Sequence, residues 1–179
     1  MRNLKRMGAM MMALVLAFSL SVTAFAAVED TGFADVAADA WYAEAVEYVR
    51  DNGLMSGTSA TTFAPNDTMT RSMLATTLYR EAGSPAVSGS DAFTDTQEGA
   101  WYADAVLWAS QEGVISGYGN GLFGTNDPVS REQIATILWR YAGSPSAGAG
   151  QDFADESEIA SYAVAAVDWA RANGVVNGA

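Results

Sequence analysis

The sequence contains no cysteine and no histidine, and these two absences exclude several kinds of site. Without cysteine, neither a disulfide framework nor a thiolate zinc site can form, so packing must stabilise the fold. Without histidine, triads that use an imidazole base and histidine-ligated metal sites are excluded as well. The two absences exclude these sites only, and we predict from the sequence as a whole that there is no metal site, no cofactor and no catalytic residue.

Lysine is absent beyond residue 27. That part of the chain contains six arginines and all 21 aspartate and glutamate residues, so its net charge is −15. A field of this sign repels nucleic acid and anionic lipid surfaces. It does not prevent one arginine from binding one anionic ligand. The simplest interpretation of the acidity is the solubility of an exported protein.

Long hydrophobic runs are scarce, and the one that stands out lies at the N-terminus. A basic segment at residues 2–6 precedes an apolar stretch from Met7 to Val22, and the small residues of Ala24-Phe25-Ala26 follow. This order is typical of a secretory signal peptide, so residues 1–26 are predicted to be removed after Ala26. A retained anchor is disfavoured because the run is shorter than the ~20 residues that a membrane span requires.

The rest of the chain repeats itself at a spacing of 60 residues. The repeated positions include the pairs Phe33 and Phe93, Trp41 and Trp101, Phe63 and Phe123, Arg71 and Arg131, and Arg80 and Arg140. A third copy begins at Phe153 and reaches Ala179. A fixed period indicates one supersecondary unit used several times, whose copies bury apolar surface against their neighbours.

The sequence pattern of each copy predicts a first helix that ends at a glycine. Apolar residues recur at helical spacing from Trp41 in the first copy and from Trp101 in the second. Gly53 and Gly113 follow these patterns and can adopt the positive φ that ends a helix.

A second helix is predicted after Thr70 and Ser130, which suit the N-cap position. Ser130 and Gln133 fit a capping box, whereas the first copy has Met73 at the corresponding position and is predicted to keep the cap but to lack the N3 partner. The third copy has one extra residue, so Gly178 corresponds to Gly117, and it contains no second helix.

All six arginines beyond residue 27 occupy repeat-equivalent positions. Four lie near predicted helix C-termini, where the macrodipole favours a cation: Arg50, Arg80, Arg140 and Arg171. Arg71 and Arg131 instead lie at the first position of the second helix, where a cation costs about 0.3–1 kcal/mol. Two explanations stay open: a bidentate contact with a ligand carboxylate beside the helix N–H groups, or an internal salt bridge, for instance to Asp35 or Asp95.

The repeated motifs resemble those of the S-layer homology (SLH) domain family. They are Phe-x-Asp, Trp-Tyr-Ala-(Glu/Asp)-Ala-Val, Gly-(Leu/Val)-(Met/Ile)-Ser-Gly, Phe-x-(Pro/Thr)-Asn-Asp and (Thr/Ser)-Arg-x-x-(Leu/Ile)-Ala, in the same order twice. The resemblance implies one module over residues 33–85, a second over 93–145 and a partial third over 153–179. It implies a mainly α-helical, pseudo-threefold arrangement of these helix-loop-helix modules.

The resemblance also implies a function. SLH modules are non-enzymatic and attach secreted proteins to the bacterial cell wall by binding secondary cell-wall polysaccharide non-covalently. These polysaccharides commonly carry a pyruvate ketal, whose carboxylate is bound by the arginine of a Thr-Arg-Ala-Glu motif. That motif falls on Arg71 and Arg131, although both copies depart from it around the arginine.

Further ligand contacts carried over from the family fall on Asp35, Asp95, Trp41, Trp101, Gly57 and Gly117. Each has a structural alternative as well. The aspartates can cap turns, the tryptophans can belong to the core, and the glycines can serve backbone geometry.

Two other functions compete with cell-wall binding. Because the third copy has a helix without its second-helix partner, a self-associating component of a bacterial surface layer is the main alternative. An enzyme is disfavoured because the carboxylates lie at repeat-equivalent or solvent-facing positions rather than in one asymmetric pair. No EF-hand calcium loop occurs in the sequence.

Overall fold

The computed structural model describes residues 31–148 and 153–178. The predicted signal peptide, residues 1–26, lies outside the described residues. Within the described ranges, none of the helices has the length and apolar character needed to cross a membrane.

The described chain is mainly α-helical, as the sequence predicted. The five α-helices, numbered α1 to α5 in chain order, are Ala43–Asp51, Arg71–Glu81, Ala103–Gln111, Arg131–Tyr141 and Val164–Ala172, and a 3-10 turn spans Glu156–Glu158. Residues 31–148 and 153–178 form no β-strand, only an isolated antiparallel bridge between Thr70 and Pro128. The pseudo-threefold arrangement stays a prediction.

The first helix of each repeat begins later than its apolar pattern suggested. A turn closed by the hydrogen bond from the Ala43 N–H to the Ala40 carbonyl precedes α1, so Trp41 lies outside the helix. Trp41 is 92% exposed, and the buried residues of α1 are Ala43 and Val46. The prediction that Trp41 belongs to the apolar helix face was therefore wrong.

The N-caps of the second helices are confirmed. The Thr70 hydroxyl accepts a 3.3 Å hydrogen bond from the Met73 N–H, and the Ser130 hydroxyl accepts one of 3.3 Å from the Gln133 N–H. The predicted lack of a partner in the first copy was wrong, because the Met73 thioether sulfur lies 3.4 Å from the Thr70 nitrogen. A thioether is a weak acceptor, so this capping box is the weaker of the two.

The described chain divides into two compact units whose borders do not follow the sequence repeat. One contains residues 31–111 and 116–128, and the other contains residues 112–115, 129–148 and 153–178. In the first unit α2 packs against α3, and in the second α4 packs against α5. The second helix of each repeat therefore packs against the first helix of the next.

Each loop that precedes a second helix contributes an aromatic side chain to the interior, as predicted. In the first repeat the Phe33 and Phe63 rings lie 5.3 Å apart between centroids, and in the second Phe93 and Phe123 also lie 5.3 Å apart. Phe123 is fully buried. The second unit has its own apolar cluster, whose buried members are Ala135, Ala163, Val167, Trp169 and Ala170.

Candidate functional site

The aspartate of each Phe-x-Asp motif binds the main chain of its own repeat. The Asp35 carboxylate accepts hydrogen bonds of 2.9 and 2.7 Å from the N–H groups of Phe63 and Ala64. The Asp95 carboxylate accepts three, of 2.7, 2.8 and 3.1 Å, from Phe123, Gly124 and Thr125. Both aspartates thus fix the loop that leads into the second helix.

These hydrogen bonds favour the charged form of both carboxylates. The Phe63 N–H is the largest influence on Asp35 and lowers its pKa. At Asp95, burial acts to raise the pKa, but the hydrogen bonds from Phe123, Thr125 and Gly124 together outweigh it, and the pKa is lowered. The structure gives both residues the turn-fixing role, and a ligand contact by either stays a prediction.

Arg71 begins α2 and is only 5% exposed. Its Nε donates a 2.8 Å hydrogen bond to the Phe123 carbonyl, and its Nη2 donates one of 2.7 Å to the Ser116 carbonyl. The guanidinium carbon lies 4.6 Å from the ring centroid of Tyr118 and 5.2 Å from that of Phe123. The partners of Arg71 are thus carbonyls and rings of the protein rather than the carboxylates of Asp35 or Asp95, and a ligand contact by Arg71 stays a prediction.

The N-terminal turn of α2 is also engaged by the protein. The Arg71 N–H donates a 3.0 Å hydrogen bond to the Asp127 carbonyl, and the Ser72 N–H donates one of 3.3 Å to the Thr125 carbonyl. Because the third N–H binds the N-cap hydroxyl, the first three N–H groups all have protein acceptors. Such groups are the ones that would otherwise bind an anion.

Arg131 begins α4 and has different surroundings. It is exposed, and its Nη2 donates a 2.8 Å hydrogen bond to the Asn177 carbonyl. Asn177 corresponds to Ser116 in the repeat, so the same contact occurs in both units. For the main-chain N–H groups of Arg131 and Glu132, residues 31–148 and 153–178 supply no hydrogen-bond acceptor.

Arg131 lines a groove of about 280 Å³ within the second unit. The groove lies between α4 and the third copy of the repeat, and its polar lining includes Glu132, Asp155, Glu158 and Asn177. Glu132 already has a partner within the protein: its carboxylate accepts a 3.0 Å hydrogen bond from the Ala160 N–H. The groove combines a guanidinium, carboxylate acceptors and apolar walls, which suits a ligand with a carboxylate, hydroxyl groups and C–H faces.

The two tryptophans carried over from the family are exposed rather than buried in the core. Trp41 packs edge-to-face on Tyr42 with centroids 5.4 Å apart, and Trp101 packs on Tyr102 at 5.2 Å, each at an interplanar angle of 84°. Trp101 is 64% exposed. Neither residue lines the Arg131 groove, so a sugar contact by either stays a prediction.

Gly57 and Gly117 have a structural reason to be glycine. A Cβ on Gly117 would lie 2.4 Å from the Phe93 ring and 2.5 Å from the Leu122 carbonyl oxygen. A Cβ on Gly57 would meet the equivalent ring and carbonyl, and its φ is +75°. Gly178, the counterpart of Gly117, lines the Arg131 groove, and ligand contacts by the first two glycines stay predictions.

Sequence reasoning missed Tyr118, whose ring lies beside the Arg71 guanidinium. The signal was an aromatic residue inside a glycine-rich turn, at a position occupied by Thr58 in the first copy and Ala179 in the third. It also missed Glu132, which joins α4 to the third copy through Ala160 and through a 3.1 Å hydrogen bond from the Tyr162 hydroxyl.

The paired motifs and their repeated contacts agree with a comparison against protein families. The family model of the S-layer homology domain matches residues 32–72 and 92–135. The chain belongs to the S-layer homology family. In these two SLH segments lie both Phe-x-Asp motifs and both N1 arginines, Arg71 and Arg131. The partial third module, residues 153–179, stays a prediction.

Several bacterial proteins share this SLH region. A 135-residue stretch, 75% of this chain, is 30% identical to the surface-layer 125 kDa protein of Lysinibacillus sphaericus and covers 11% of that protein. A 107-residue stretch, 59% of the chain, is 32% identical to the S-layer protein of Bacillus thuringiensis subsp. finitimus and covers 13% of it. An endoglucanase of Bacillus sp. strain KSM-635 is 32% identical over 108 residues, 60% of this chain and 11% of the enzyme. The chain thus spans about a tenth of the length of these relatives.

Proposed function

We propose that this chain is a non-enzymatic cell-wall anchoring module of a secreted bacterial protein, which binds secondary cell-wall polysaccharide non-covalently at the cell surface. The observation that carries the proposal is the Arg131 groove. There the Arg131 guanidinium lies in a groove whose polar lining includes Asp155, Glu158 and Asn177. A guanidinium can bind a carboxylate through two parallel hydrogen bonds, and carboxylates and carbonyls can accept hydrogen bonds from sugar hydroxyls.

The comparisons support an anchoring role over a catalytic one. The same short region is shared by proteins named as surface-layer proteins and by one named as an endoglucanase. Because the region covers about a tenth of each, the shared property is one that a small module can supply to a larger protein. Attachment to the cell surface is such a property.

The groove favours a pyruvate ketal over a densely charged polymer. Asp155, Glu158 and Glu132 surround the single arginine, so a chain of phosphates would be repelled. One ketal carboxylate can instead bind Arg131 while sugar hydroxyls donate to Asp155 and Glu158. We therefore propose a pyruvylated polysaccharide as the ligand.

The exposed tryptophans are proposed to contribute by a different contact. Trp41 and Trp101 present their indole rings to solvent, where the C–H face of a sugar ring can pack on them. Asp35, Asp95, Gly57 and Gly117 are proposed to support binding by fixing the loops of each repeat.

The test is cosedimentation of the mature protein with isolated cell-wall sacculi. Three sacculus preparations are compared: intact, treated with mild acid to hydrolyse the ketals, and stripped of polysaccharide. Binding to the intact wall and its loss from both treated walls are expected. Equal binding to the stripped wall would contradict polysaccharide binding, and full binding after ketal hydrolysis would contradict the pyruvate ligand alone.

The same exposed indoles favour a second candidate, a self-associating component of a surface layer. Large apolar side chains in water, such as Trp41 and Trp101, are a common feature of protein interfaces. Light scattering of the mature protein over a wide concentration range decides this: a mass that rises with concentration supports it, and a constant monomer mass contradicts it.

A further inference from the structure

We infer that Glu132 is a positioning residue of the Arg131 groove. It binds the segment of residues 158–162 to the first turn of α4, and it thereby sets the distance between the two walls of the groove rather than binding the ligand itself. The effect on ligand binding rests on the proposed function. The link is a property of the fold and can be tested without a ligand.

The first argument is that both oxygens of the Glu132 carboxylate have donors within the protein. Oε2 accepts a 3.0 Å hydrogen bond from the Ala160 N–H, and Oε1 accepts one of 3.1 Å from the Tyr162 hydroxyl. Hydrogen bonds to a charged carboxylate are stronger than those between neutral groups. Because the two donors lie two residues apart, the carboxylate fixes the orientation of this segment as well as its distance from α4.

The second argument is the local character of the neighbouring main-chain hydrogen bonds. The N–H groups of Glu158 and Ile159 donate to carbonyls two or three residues before them, and the Ala163 N–H donates to the Ala160 carbonyl. These bonds shape the turn before α5 but do not attach it to α4. Glu132 supplies a polar attachment, which adds to the packing of Ile159 against the apolar cluster of the second unit.

The third argument is what the attached segment does in the groove. Arg131 and Glu132 line the groove from α4, whereas Glu158 and Ile159 line it from the third copy of the repeat. Glu158 lies two residues before Ala160, so a movement of Ala160 away from α4 would also move Glu158 away from the Arg131 guanidinium. A site whose groups must first be ordered binds more weakly, since the ordering costs binding free energy.

The other copies show that this link is a feature of one glutamate and not of the whole repeat. Ser72 occupies the position of Glu132 in the first copy, and its hydroxyl lies 3.1 Å from the Thr70 hydroxyl at the start of its own helix. Glu44 offers a matched comparison, because it is also the second residue of its helix, α1, and is exposed. Both glutamates interact similarly with a helix N-terminus, so a difference between them reports the contacts with Ala160 and Tyr162.

Amide hydrogen exchange tests the link in the mature protein. In Glu132→Ala the Ala160 N–H is expected to exchange at least about tenfold faster than in the parent, because it loses its acceptor. The Val167 N–H, which donates to the Ala163 carbonyl within α5, should stay within about twofold. Glu44→Ala should change neither rate. Unchanged exchange at Ala160 would overturn the link, and an equal rise at Val167 would show a general loosening of α5 instead of a local one.

Cosedimentation with intact sacculi tests the positioning role. Glu132→Ala is expected to bind about tenfold more weakly, whereas Glu44→Ala should stay within about twofold of the parent. Glu132→Gln should recover binding to within about threefold, because its amide oxygen can accept from the Ala160 N–H while its NH₂ group donates to the Tyr162 oxygen. Tyr162→Phe should bind about threefold more weakly. The double variant of Glu132→Ala and Tyr162→Phe should bind no more weakly than Glu132→Ala alone, since the hydroxyl acts through the carboxylate.

The outcomes are distinguishable. Parent-like binding by Glu132→Ala would overturn the positioning role. Additive losses in the double variant, or a Glu132→Gln as weak as Glu132→Ala, would overturn it in favour of a direct ligand contact. If Glu132→Ala does not fold, Tyr162→Phe decides, and unchanged binding by that variant would overturn the role. If the unmutated protein does not bind sacculi, the proposed function fails, while the Ala160 exchange rate still decides the link.

Discussion

The Asp95 carboxylate accepts a 2.7 Å hydrogen bond from the Phe123 N–H, 28 residues further along the chain. In the first repeat Asp35 and Phe63 have the same relationship at 2.9 Å, also across 28 residues. Each bond sets the main chain where the loop places its phenylalanine in the interior. The Phe-x-Asp motif is therefore a fold determinant in both SLH repeats, whatever it adds to ligand binding.

Replacing Asp95 should make the free energy of unfolding less dependent on pH in the acid range. Its pKa is lowered in the folded state, so its contribution is complete above the unfolded pKa of about 3.9 and is lost as the pH falls through the lower folded pKa. Asp95→Asn should cost about 1–3 kcal/mol at pH 6, and the difference from the parent should shrink towards pH 2.5. Urea unfolding at several pH values measures this.

Asp39→Asn, which removes the same charge at an exposed site, is the matched control and should leave stability nearly unchanged. A difference between parent and Asp95→Asn that stays constant from pH 6 to pH 2.5 would show that the carboxylate charge is not what holds the loop.

A methyl group at Gly117 should destabilise the protein more than one at Gly53. The Gly117 Cβ would overlap a ring and a carbonyl oxygen, which cannot move without shifting the loop, and we expect a loss of more than about 2 kcal/mol. Gly53 has a φ of +67° but open space around it, so Gly53→Ala should cost only about 1–2 kcal/mol. Thermal unfolding of the two variants provides the comparison, and the reverse order would contradict the loop geometry.

Truncation of a buried tryptophan should reduce the free energy of unfolding far more than truncation of an exposed one. Trp108 in α3 is 4% exposed and lies 5.8 Å from the Tyr79 ring of α2, so Trp108→Ala should cost about 3–5 kcal/mol. Trp41→Ala should change stability by less than about 0.5 kcal/mol because Trp41 is in solvent. Urea midpoints measure both. A large loss at Trp41 would place that ring in a packed interface.

Arg131→Ala should weaken sacculus binding by about tenfold to a hundredfold, the effect of losing a charge-assisted pair worth about 1.5–3 kcal/mol. Arg140→Ala is the matched control, because it removes the same charge at the other end of α4. Cosedimentation isotherms measure both variants. Equal losses would show that net charge, rather than the groove, controls binding.

The secreted form should begin at Ala27. The segment Ala24-Phe25-Ala26 supplies the small residues that signal peptidase recognises. N-terminal sequencing of protein exported by a bacterial host checks this, and a mature protein that keeps Met1 would contradict the assignment.

Sequence periodicity predicted the helices and their caps because both depend on local residues. Thr70 and Ser130 are followed by helical patterns that end at Gly83 and Gly143, and the structure has α2 and α4 there. The start of the first helix was harder to predict, since Trp41 continues the apolar pattern while the main chain before Ala43 forms a turn. Apolar spacing alone does not distinguish a helix from the turn that leads into it.

The different surroundings of Arg71 and Arg131 could not be predicted from the sequence, for another reason. Both follow an N-cap residue and both begin a helix, so the local pattern around each arginine is similar. What separates them among the described residues is the contact of Arg71 with the Phe123 carbonyl and the Tyr118 ring, more than 40 residues away. Such contacts depend on how one repeat meets the next, which a motif within a single repeat does not encode.

Because α2 packs against α3 and α4 packs against α5, the boundaries between packed units of this protein lie inside its sequence repeats. A fragment that stops at residue 85 keeps a whole sequence motif but separates α2 from α3. A fragment that begins near residue 64 and ends near residue 128 would keep that helix pair and the Arg71 contacts together. A gene duplication that copied such an offset segment would copy the contact between two packed helices together with each new helix. Arrays of these units can lengthen in this way without leaving a helix exposed.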